Sequence, residues 1–551
     1  MDTLVDIKNR IRGSKLWTKS GITRVYLPYR INKKNVRTDC YLEIINDKLE
    51  LLVKVRSLLW DVHPNWCDLQ AEKLKENLTK QYYEIIHDCE KKRRKIPLHI
   101  RLQDNTIPLC HNSMLHQIKA LKFLCSMKVA AYFGDTGVGK TKVAIDLASS
   151  RFVAGKINKV MVFCPVSTID NFKIEVNLFC RFSKLIWQYF GIESMSMSDP
   201  VYLEALNMVD NETMIIIDES HFVKGVKAIR SERIKKVCDR CTYKLIMTGT
   251  PTTDNVHDLY MQYSMLSELI TECKSWSKFA EQFLILGGWD CRQIIGYKNL
   301  EYLTSLIEPY TYQTLKKECL QLPKKSFQTF TCRLTENQEY YYYLLKKKLL
   351  EIIENTKDDN LRPETIFLYL TRMQQVSCGY IRHDDGQFEY IGTKKFDLID
   401  NYIDISKQTI FFCKYIFEVD LLIEYLGDIN CVEFTGRNRG NRYEKLKQFS
   451  EGKKKYFVAT MSSGGIGLNG LQQCSQMIFF SNSFKYSERK HSIGRIDREG
   501  QKNQMLITDM ITSAGIDWKI IHNLSRKRNL SDEIKRLIGN KIKLREYIQS
   551  I

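Results

Sequence analysis

Short, nearly uninterrupted apolar runs punctuate the middle of this chain. Val129-Ala-Ala-Tyr-Phe133, Val160-Met-Val-Phe-Cys164, Met214-Ile-Ile-Ile217 and Lys244-Leu-Ile-Met-Thr248 are too short for helices and lack the polar alternation of a half-exposed strand. Strands covered on both faces by crossover helices have this signature, and amphipathic stretches lie between the runs. The pattern therefore predicts a parallel α/β lobe over residues 106–265. It resumes at Thr409-Ile-Phe-Phe-Cys413, Tyr456-Phe-Val-Ala-Thr460, Met477-Ile-Phe-Phe480 and Met505-Leu-Ile-Thr508, predicting a second parallel lobe over 391–551 that ends in a basic helical tail. Residues 266–390 read as mainly helical, with Tyr340 to Ile353 the clearest helix.

The first 105 residues follow a different pattern. Val25 to Ile31 and Tyr41 to Ile45 have strand character, and Asn46-Asp47-Lys48 turns into Leu49 to Val55 as a hairpin. Leu74, Leu78, Tyr82, Ile85 and Cys89 then recur at helical spacing. A small α+β accessory domain is expected here, ending near the basic run Lys91–Lys95. That run suits either phosphate contact or a solvated helix end.

Composition narrows the class of partner. The 551 residues carry a formal net charge of +20 with an otherwise ordinary globular balance, so a large anionic partner, nucleic acid foremost, is expected. No apolar run is long enough to span a bilayer, and the first residues lack a signal-peptide pattern, so an intracellular protein is expected: cytoplasmic in a bacterial or phage-infected cell, nuclear in a eukaryote. The 17 cysteines are scattered, and Cys238-Asp-Arg-Cys241 has no second pair nearby, which argues for buried thiols rather than a metal site.

Three segments carry chemistry. Gly134-Asp-Thr-Gly-Val-Gly-Lys140-Thr141 follows an apolar strand and precedes the helical pattern Val143 to Leu147. In that context Gly134, Gly137 and Gly139 let backbone N–H groups approach phosphates, with Thr136 in the same loop; Lys140 would hold the outer phosphates and Thr141 a Mg²⁺ ion. Asp218 and Glu219 end the apolar strand 214–217, where a carboxylate faces the ligand crevice. Asp218 would hold Mg²⁺ through water and Glu219 would polarise the attacking water. Far downstream, Arg495 and Arg498 lie three apart in His491-Ser-Ile-Gly-Arg-Ile-Asp-Arg-Glu-Gly-Gln501, a spacing that predicts one helical face. An NTP site needs cations on the transferring phosphoryl group, and these arginines could supply them from a second lobe.

Taken together, these segments resemble the Snf-two (Swi/Snf-type) branch of the superfamily-two helicase-like ATPases, from about residue 113 to about 530. Leu115-His-Gln117 is similar to the upstream glutamine motif, which implies that Gln117 reads adenine. Cys164-Pro165 with Asn171-Phe172 and Glu175 resembles a DNA-contact motif, and Asp218-Glu-Ser-His-Phe-Val-Lys224 the acidic box. Met247-Thr-Gly-Thr-Pro-Thr252 resembles the coupling motif, and Leu320-Gln-Leu-Pro323 with Leu334-Thr-Glu-Asn-Gln338 the insertion of this branch. Ser463-Gly-Gly-Ile-Gly-Leu-Asn469 resembles the fifth motif and the segment at His491 the sixth. The chain departs from the family at Gln313-Thr314, where paired arginines are usual, and at His491, Asp497 and Glu499.

The resemblance implies two tandem RecA-like parallel-sheet lobes with helical insertions between them, and an ATP- and Mg²⁺-dependent enzyme. It implies Gly467 and Asn469 on the nucleotide side, and Pro165, Asn171, Lys224, Thr250, Thr460, Gly464 and Gly465 on the nucleic acid. The activity it implies is translocation on double-stranded or branched DNA by a monomer, remodelling DNA or protein–DNA complexes. Residues 1–105 could hold a protein partner. Strand separation and an ATPase that releases stalled RNA polymerase are the competing activities. A non-enzymatic nucleic-acid binder would not need Lys140, Thr141, Asp218, Glu219, Arg495 and Arg498 together.

Overall fold

The structure, a computed structural model, describes residues 2–551 except 20–21, 32, 34, 46–47, 58–63, 94–96, 252–254, 288–292, 357–360, 384–385, 405, 438–441, 465–469, 527, 531–532, 535–536 and 538–539. The chain forms two compact units, one comprising residues 1–135 and 139–315 and the other residues 136–138 and 316–551.

The first unit opens with a helix, Asp2–Arg10, and an antiparallel sheet of β1 (Lys15–Lys19), β2 (Ile22–Tyr26), β3 (Val36–Ile45) and β4 (Lys48–Ser57) in that order. The expected strand at 25–31 therefore starts and stops earlier, before Pro28, while the hairpin strands are longer than predicted; its turn residues Asn46 and Asp47 lie outside the described residues. The single helix expected through Cys89 is two, Pro64–Gln81 and Tyr83–Arg93, and Leu74, Leu78 and Cys89 are buried against Val25 and Leu42 of the sheet. Of the basic run, Lys92 pairs with Asp88 at 3.3 Å and Arg93 with Glu90 at 2.5 Å, so part of its charge is neutralised within the domain.

Next comes a six-stranded parallel sheet. Its strands are β5 (Val129–Gly134), β6 (Lys159–Cys164), β7 (Ile186–Gly191), β8 (Thr213–Asp218) and β9 (Tyr243–Thr248), and a sixth joins from later in the chain. The four predicted apolar runs are β5, β6, β8 and β9, while no predicted run marks β7; β5 and β9 are buried along their whole length. An antiparallel hairpin, β10 (Leu284–Gly287) with β11 (Gln293–Tyr297), precedes β12 (Thr311–Thr314), which pairs with the outer side of β5. The order is β12-β5-β9-β8-β6-β7.

The second unit has its own six-stranded parallel sheet. β13 (Lys325–Cys332) is its edge strand, β14 (Tyr380–Arg382) and β15 (Phe388–Tyr390) form a separate hairpin, and β16 (Thr409–Cys413), β17 (Cys431–Phe434), β18 (Tyr456–Thr460), β19 (Gln476–Phe479) and β20 (Met505–Thr512) complete the sheet. The order is β13-β20-β19-β16-β18-β17. Residues 266–390 are thus not simply helical: β12 completes the first sheet and β13 the second. The C-terminal segment contains the expected helices, Gly515–Ser525 and Lys541–Gln549, and they are packed. Ile516, Ile520, Leu544 and Ile548 are buried in one cluster with Leu349, Ile353, Leu370 and Met373 of the helices Glu336–Asn355 and Pro363–Ser377.

Candidate nucleotide site

Parallel register decides which motifs meet. β5, β9 and β8 are adjacent, with Phe133 opposite Thr248 and Met247 opposite Asp218. The loop after β5, the acids after β8 and the Thr248–Pro251 segment after β9 therefore leave the sheet side by side at its C-terminal edge, where ligands of such sheets bind.

The loop Gly134–Lys140 runs into the helix Lys140–Val153. Gly137 and Gly139 have φ of +91° and +80°, a region in which a β-carbon is strained. At Gly139 a β-carbon would also run into the side-chain amide of Gln117. Gln117 is buried, and its Oε1 accepts the Met114 N–H at 3.0 Å at the start of helix Leu115–Cys125. Fold and loop thus place Gln117 against the phosphate loop. Lys140 Nζ donates to the carbonyls of Gly134 at 2.8 Å and Asp135 at 3.4 Å, so its ammonium already lies over the loop. The Asp135 N–H donates to the Thr314 carbonyl at 3.0 Å, which anchors the loop to β12.

Asp218 is half-buried at the end of β8. Burial first, and the Glu219 carboxylate second, push its carboxyl up to about 7; Lys140 opposes the shift. Asp218 Oδ1 accepts the Glu219 N–H at 3.0 Å. Two adjacent carboxylates that disfavour each other's charge are a donor set that a divalent cation would relieve. Mg²⁺ commonly takes few protein oxygens and the rest from phosphates and water. The described residues contain no cluster of three or more His, Cys, Asp or Glu placed for a metal. Asp218 could hold a magnesium ion whose remaining ligands come from a nucleotide and water.

Glu219 adopts φ +50°, ψ +51°, unusual for a residue with a side chain and a mark of a constrained site. Its Oε2 accepts the Thr248 hydroxyl at 3.1 Å, and Thr248 Oγ1 in turn accepts the Thr250 N–H at 3.1 Å. His221 Nδ1 is 3.0 Å from Thr248 Oγ1 and 3.3 Å from Glu219 Oε2. Because the hydroxyl's single proton goes to Glu219, Nδ1 carries the proton and donates to Thr248. A second link runs from Ser220 Oγ to Gln262 Oε1 at 2.6 Å, and from Gln262 Nε2 to the Pro251 carbonyl at 2.8 Å. The acidic box and the segment after β9 are therefore one hydrogen-bonded unit. Thr248 and His221 lie within the coupling motif and the acidic box, but the sequence alone assigns His221 no role and Thr248 only a general one, as one of two hydroxyls able to link the site to other surfaces.

The residues expected on nucleic acid are more dispersed. Pro165 follows β6, and its carbonyl accepts the Thr168 N–H at 2.8 Å. Asn171 donates to Glu175 at 3.4 Å, and Lys224 pairs with Asp258 at 2.9 Å. Thr250 is buried, and its Oγ1 has no hydrogen-bond partner among the described residues. In the second unit, Thr460 ends β18 and Gly464 ends the short helix Met461–Gly464; Gly465, Gly467 and Asn469 lie outside the described residues.

The arginine segment corrects one expectation. The helix Tyr486–Ile493 stops before Arg495 and Arg498, which lie in successive turns rather than on one helical face. Gly494 occupies the C-cap of that helix, and further on Gly500 has φ +93°. Asp497, between the arginines, is held by Lys316 at 3.1 Å and Lys325 at 2.8 Å. The Cys238–Cys241 pair is buried, and burial pushes the Cys241 thiol up to about 12, consistent with inert thiols.

Two family models match the chain: SNF2-related domain over residues 192–380, and helicase conserved C-terminal domain over residues 394–500. The transcription regulatory protein SNF2 of Saccharomyces cerevisiae is 22% identical over 523 residues, covering 86% of this chain and 30% of that protein. ISWI chromatin-remodeling complex ATPase ISW1 of the same yeast is 20% identical, covering 78% of this chain and 41% of its own length. The human SWI/SNF-related matrix-associated actin-dependent regulator of chromatin subfamily A containing DEAD/H box 1 is 25% identical over 271 residues, 43% of this chain and 25% of that one. The chain thus spans less than half the length of these curated relatives. Among solved structures, the Sulfolobus solfataricus SWI2/SNF2 ATPase core in complex with dsDNA is 19% identical with a TM-score of 0.36, covering 81% of this chain and 96% of that one.

Proposed function

From the premise that this chain belongs to the SNF2-related family of helicase-like, nucleic-acid-dependent ATPases, we propose that it is an ATP-driven translocase on double-stranded DNA. Its work would be to remodel DNA, by reannealing, branch migration or fork remodelling, or to remodel protein–DNA complexes. The observation that carries this reading is the hydrogen-bonded chain Glu219–Thr248–Thr250. It joins the carboxylate suited to polarise water to a residue suited to feel the nucleic acid, so that DNA binding can alter the rate of hydrolysis.

In this reading Lys140 holds the outer phosphates, Thr141 and Asp218 hold Mg²⁺, and Glu219 orients and deprotonates the attacking water. Gln117 reads adenine. Arg495 and Arg498, carried by the second unit, stabilise charge on the transferring phosphoryl group, and Gly467 and Asn469 assist on the nucleotide side. Pro165, Asn171, Lys224, Thr250, Thr460, Gly464 and Gly465 follow the backbone of one DNA strand, a grip that tolerates any sequence. Residues 1–105 form an accessory domain that sets which DNA structure is engaged. Among the described residues no helix is long and apolar enough to cross a membrane.

ATP hydrolysis measured with double-stranded, single-stranded and forked DNA tests the proposal, together with displacement of a third strand from a triplex. Stimulation by duplex and ATP-dependent triplex displacement are expected. Unwinding of a forked duplex without triplex displacement would instead favour strand separation.

A further inference from the structure

The helix that begins at Lys140 also carries a buried ion pair with no place in the phosphate chemistry. Lys142 and Asp146 are one turn apart, and Nζ meets Oδ2 at 2.6 Å with side chains 9% and 7% exposed. A lysine so placed must use its donors, or the burial is costly. Lys142 Nζ has three, and the other two reach the His111 carbonyl at 2.8 Å and Ser113 Oγ at 3.1 Å. Ser113 Oγ itself donates to Asp146 Oδ2 at 2.9 Å. A third tie lies one turn further on. The Leu109 N–H donates to Ser150 Oγ at 2.9 Å, and that hydroxyl donates to the Asp146 carbonyl at 2.6 Å. The segment 109–113 has no helix or strand of its own and contains a left-handed Asn112 with φ +47°. Side chains of the phosphate-loop helix therefore fix its course.

That segment leads directly to Met114, whose N–H is held by Gln117 Oε1 at 3.0 Å, while the Gln117 amide lies against Gly139. The geometry points to Lys142 and Asp146 as positioning residues for nucleotide-base recognition. They hang the loop before Gln117 on the helix that binds the triphosphate, so the base-reading amide and the phosphate ligands keep one register. The inference rests on the reading of Gln117 as the adenine contact. Neither side chain touches nucleotide in it; both act through His111, Ser113 and Gln117.

The test is steady-state hydrolysis of ATP and GTP by the full chain carrying K142M and D146N together, which removes both charges at similar volume. The KM for ATP should rise about tenfold, the worth of one hydrogen bond to the base, and the preference for ATP over GTP should fall alongside it. The kcat at saturating ATP should stay near wild type, since binding common to ground and transition states has been lost. S113A, which keeps the ion pair and deletes the hydroxyl link, should move both quantities the same way by less. An unchanged KM and unchanged ATP:GTP preference in the folded double variant, while Q117A alters both, overturns the positioning role and leaves the adenine reading standing. If Q117A alters neither, the adenine reading falls and the inference with it. Should the double variant fail to fold, S113A decides, and wild-type values for it overturn the proposal.

Discussion

Glu219 combines a strained backbone with a side chain whose Oε2 is held by Thr248 and flanked by His221. A carboxylate oriented this way is preorganised for one water, so E219Q should lower ATP turnover by about 10²–10⁴ while leaving ATP binding intact. Rapid-quench hydrolysis alongside equilibrium nucleotide binding separates the two effects. Wild-type turnover in that variant would remove Glu219 from the mechanism. R495A should cost about 10³–10⁵ in rate if the arginine acts as a finger on the phosphoryl group. T248V cuts the link between Glu219 and Thr250 but spares both residues. It should abolish stimulation by DNA more than it lowers the unstimulated rate, and an equal loss in both would refute the coupling role. Lys414, after β16, is a different kind of residue. Its ammonium sits 3.3 Å from the centre of the Phe484 ring and donates to Gln374, and burial lowers its pKa from 10.5 to about 7. Between about 7 and 10.5 the unfolded chain then binds the proton more readily than the folded one. Stability contributed by this site therefore rises with pH across that window and is lowest below it. Urea midpoints at several pH values should show the rise in wild type, and K414M should flatten it.

The elements most legible in the sequence are those that bury both faces. β5, β6, β8 and β9 are each announced by an apolar run because both of their faces are largely buried. β12 and β13 are not. Thr311–Thr314 is short and mostly polar, and Lys325–Cys332 alternates between exposed and half-buried positions as an edge strand does. Their partners, Ala131–Gly134 and Met505–Thr512, are remote in sequence, so no local pattern could mark the pairing. The phosphate loop and acidic box are legible because their chemistry is local, whereas the Lys142–Asp146 tie needs His111 and Ser113 brought in from another segment. The arginine segment fails as a helix for a related reason. Spacing cannot register that Asp497 is claimed by Lys316 and Lys325, residues at the start of the second unit. D497A should leave two lysines without their shared partner and loosen the junction between that start and the arginine turns. The side chain of Asp497 is 8% exposed, but Lys325 is 37% exposed, so a loss of about 1–3 kcal/mol is expected rather than the full cost of a buried pair. The unfolding midpoint in urea reads this, and no shift would show the pairs to be incidental.

Across the whole molecule, chemistry and accessory domain occupy opposite ends of the first parallel sheet. The phosphate loop, Asp218 and Thr248 leave its C-terminal edge. Ile44 of β3 instead shares a small cavity of about 20 Å³ with Lys128, Val129 and Thr242, which precede or begin β5 and β9. Glu43, paired with Arg24 at 2.8 Å, also lies within reach of Asn211, just before β8. Residues 1–105 therefore meet the sheet where its strands begin, a strand length of roughly 20 Å from the phosphates. At that distance they do not reach the phosphate loop, so any influence on hydrolysis would be indirect. With a net charge of +20, the proposed translocase would grip DNA chiefly by neutralising phosphates. Each neutralised phosphate releases counterions, so log affinity for duplex DNA should fall linearly with log salt. For about 6–10 phosphate contacts the loss between 50 and 200 mM salt is about 10³–10⁵, whatever the base sequence. Fluorescence anisotropy with duplexes of unrelated sequence measures this. The slopes should coincide across sequences, and K224A should reduce the slope by about one contact if that lysine leaves Asp258 for a phosphate. A slope near zero, or one that depends on base sequence, would mean that the positive charge is not a tracking surface, and the translocase reading would lose its physical basis.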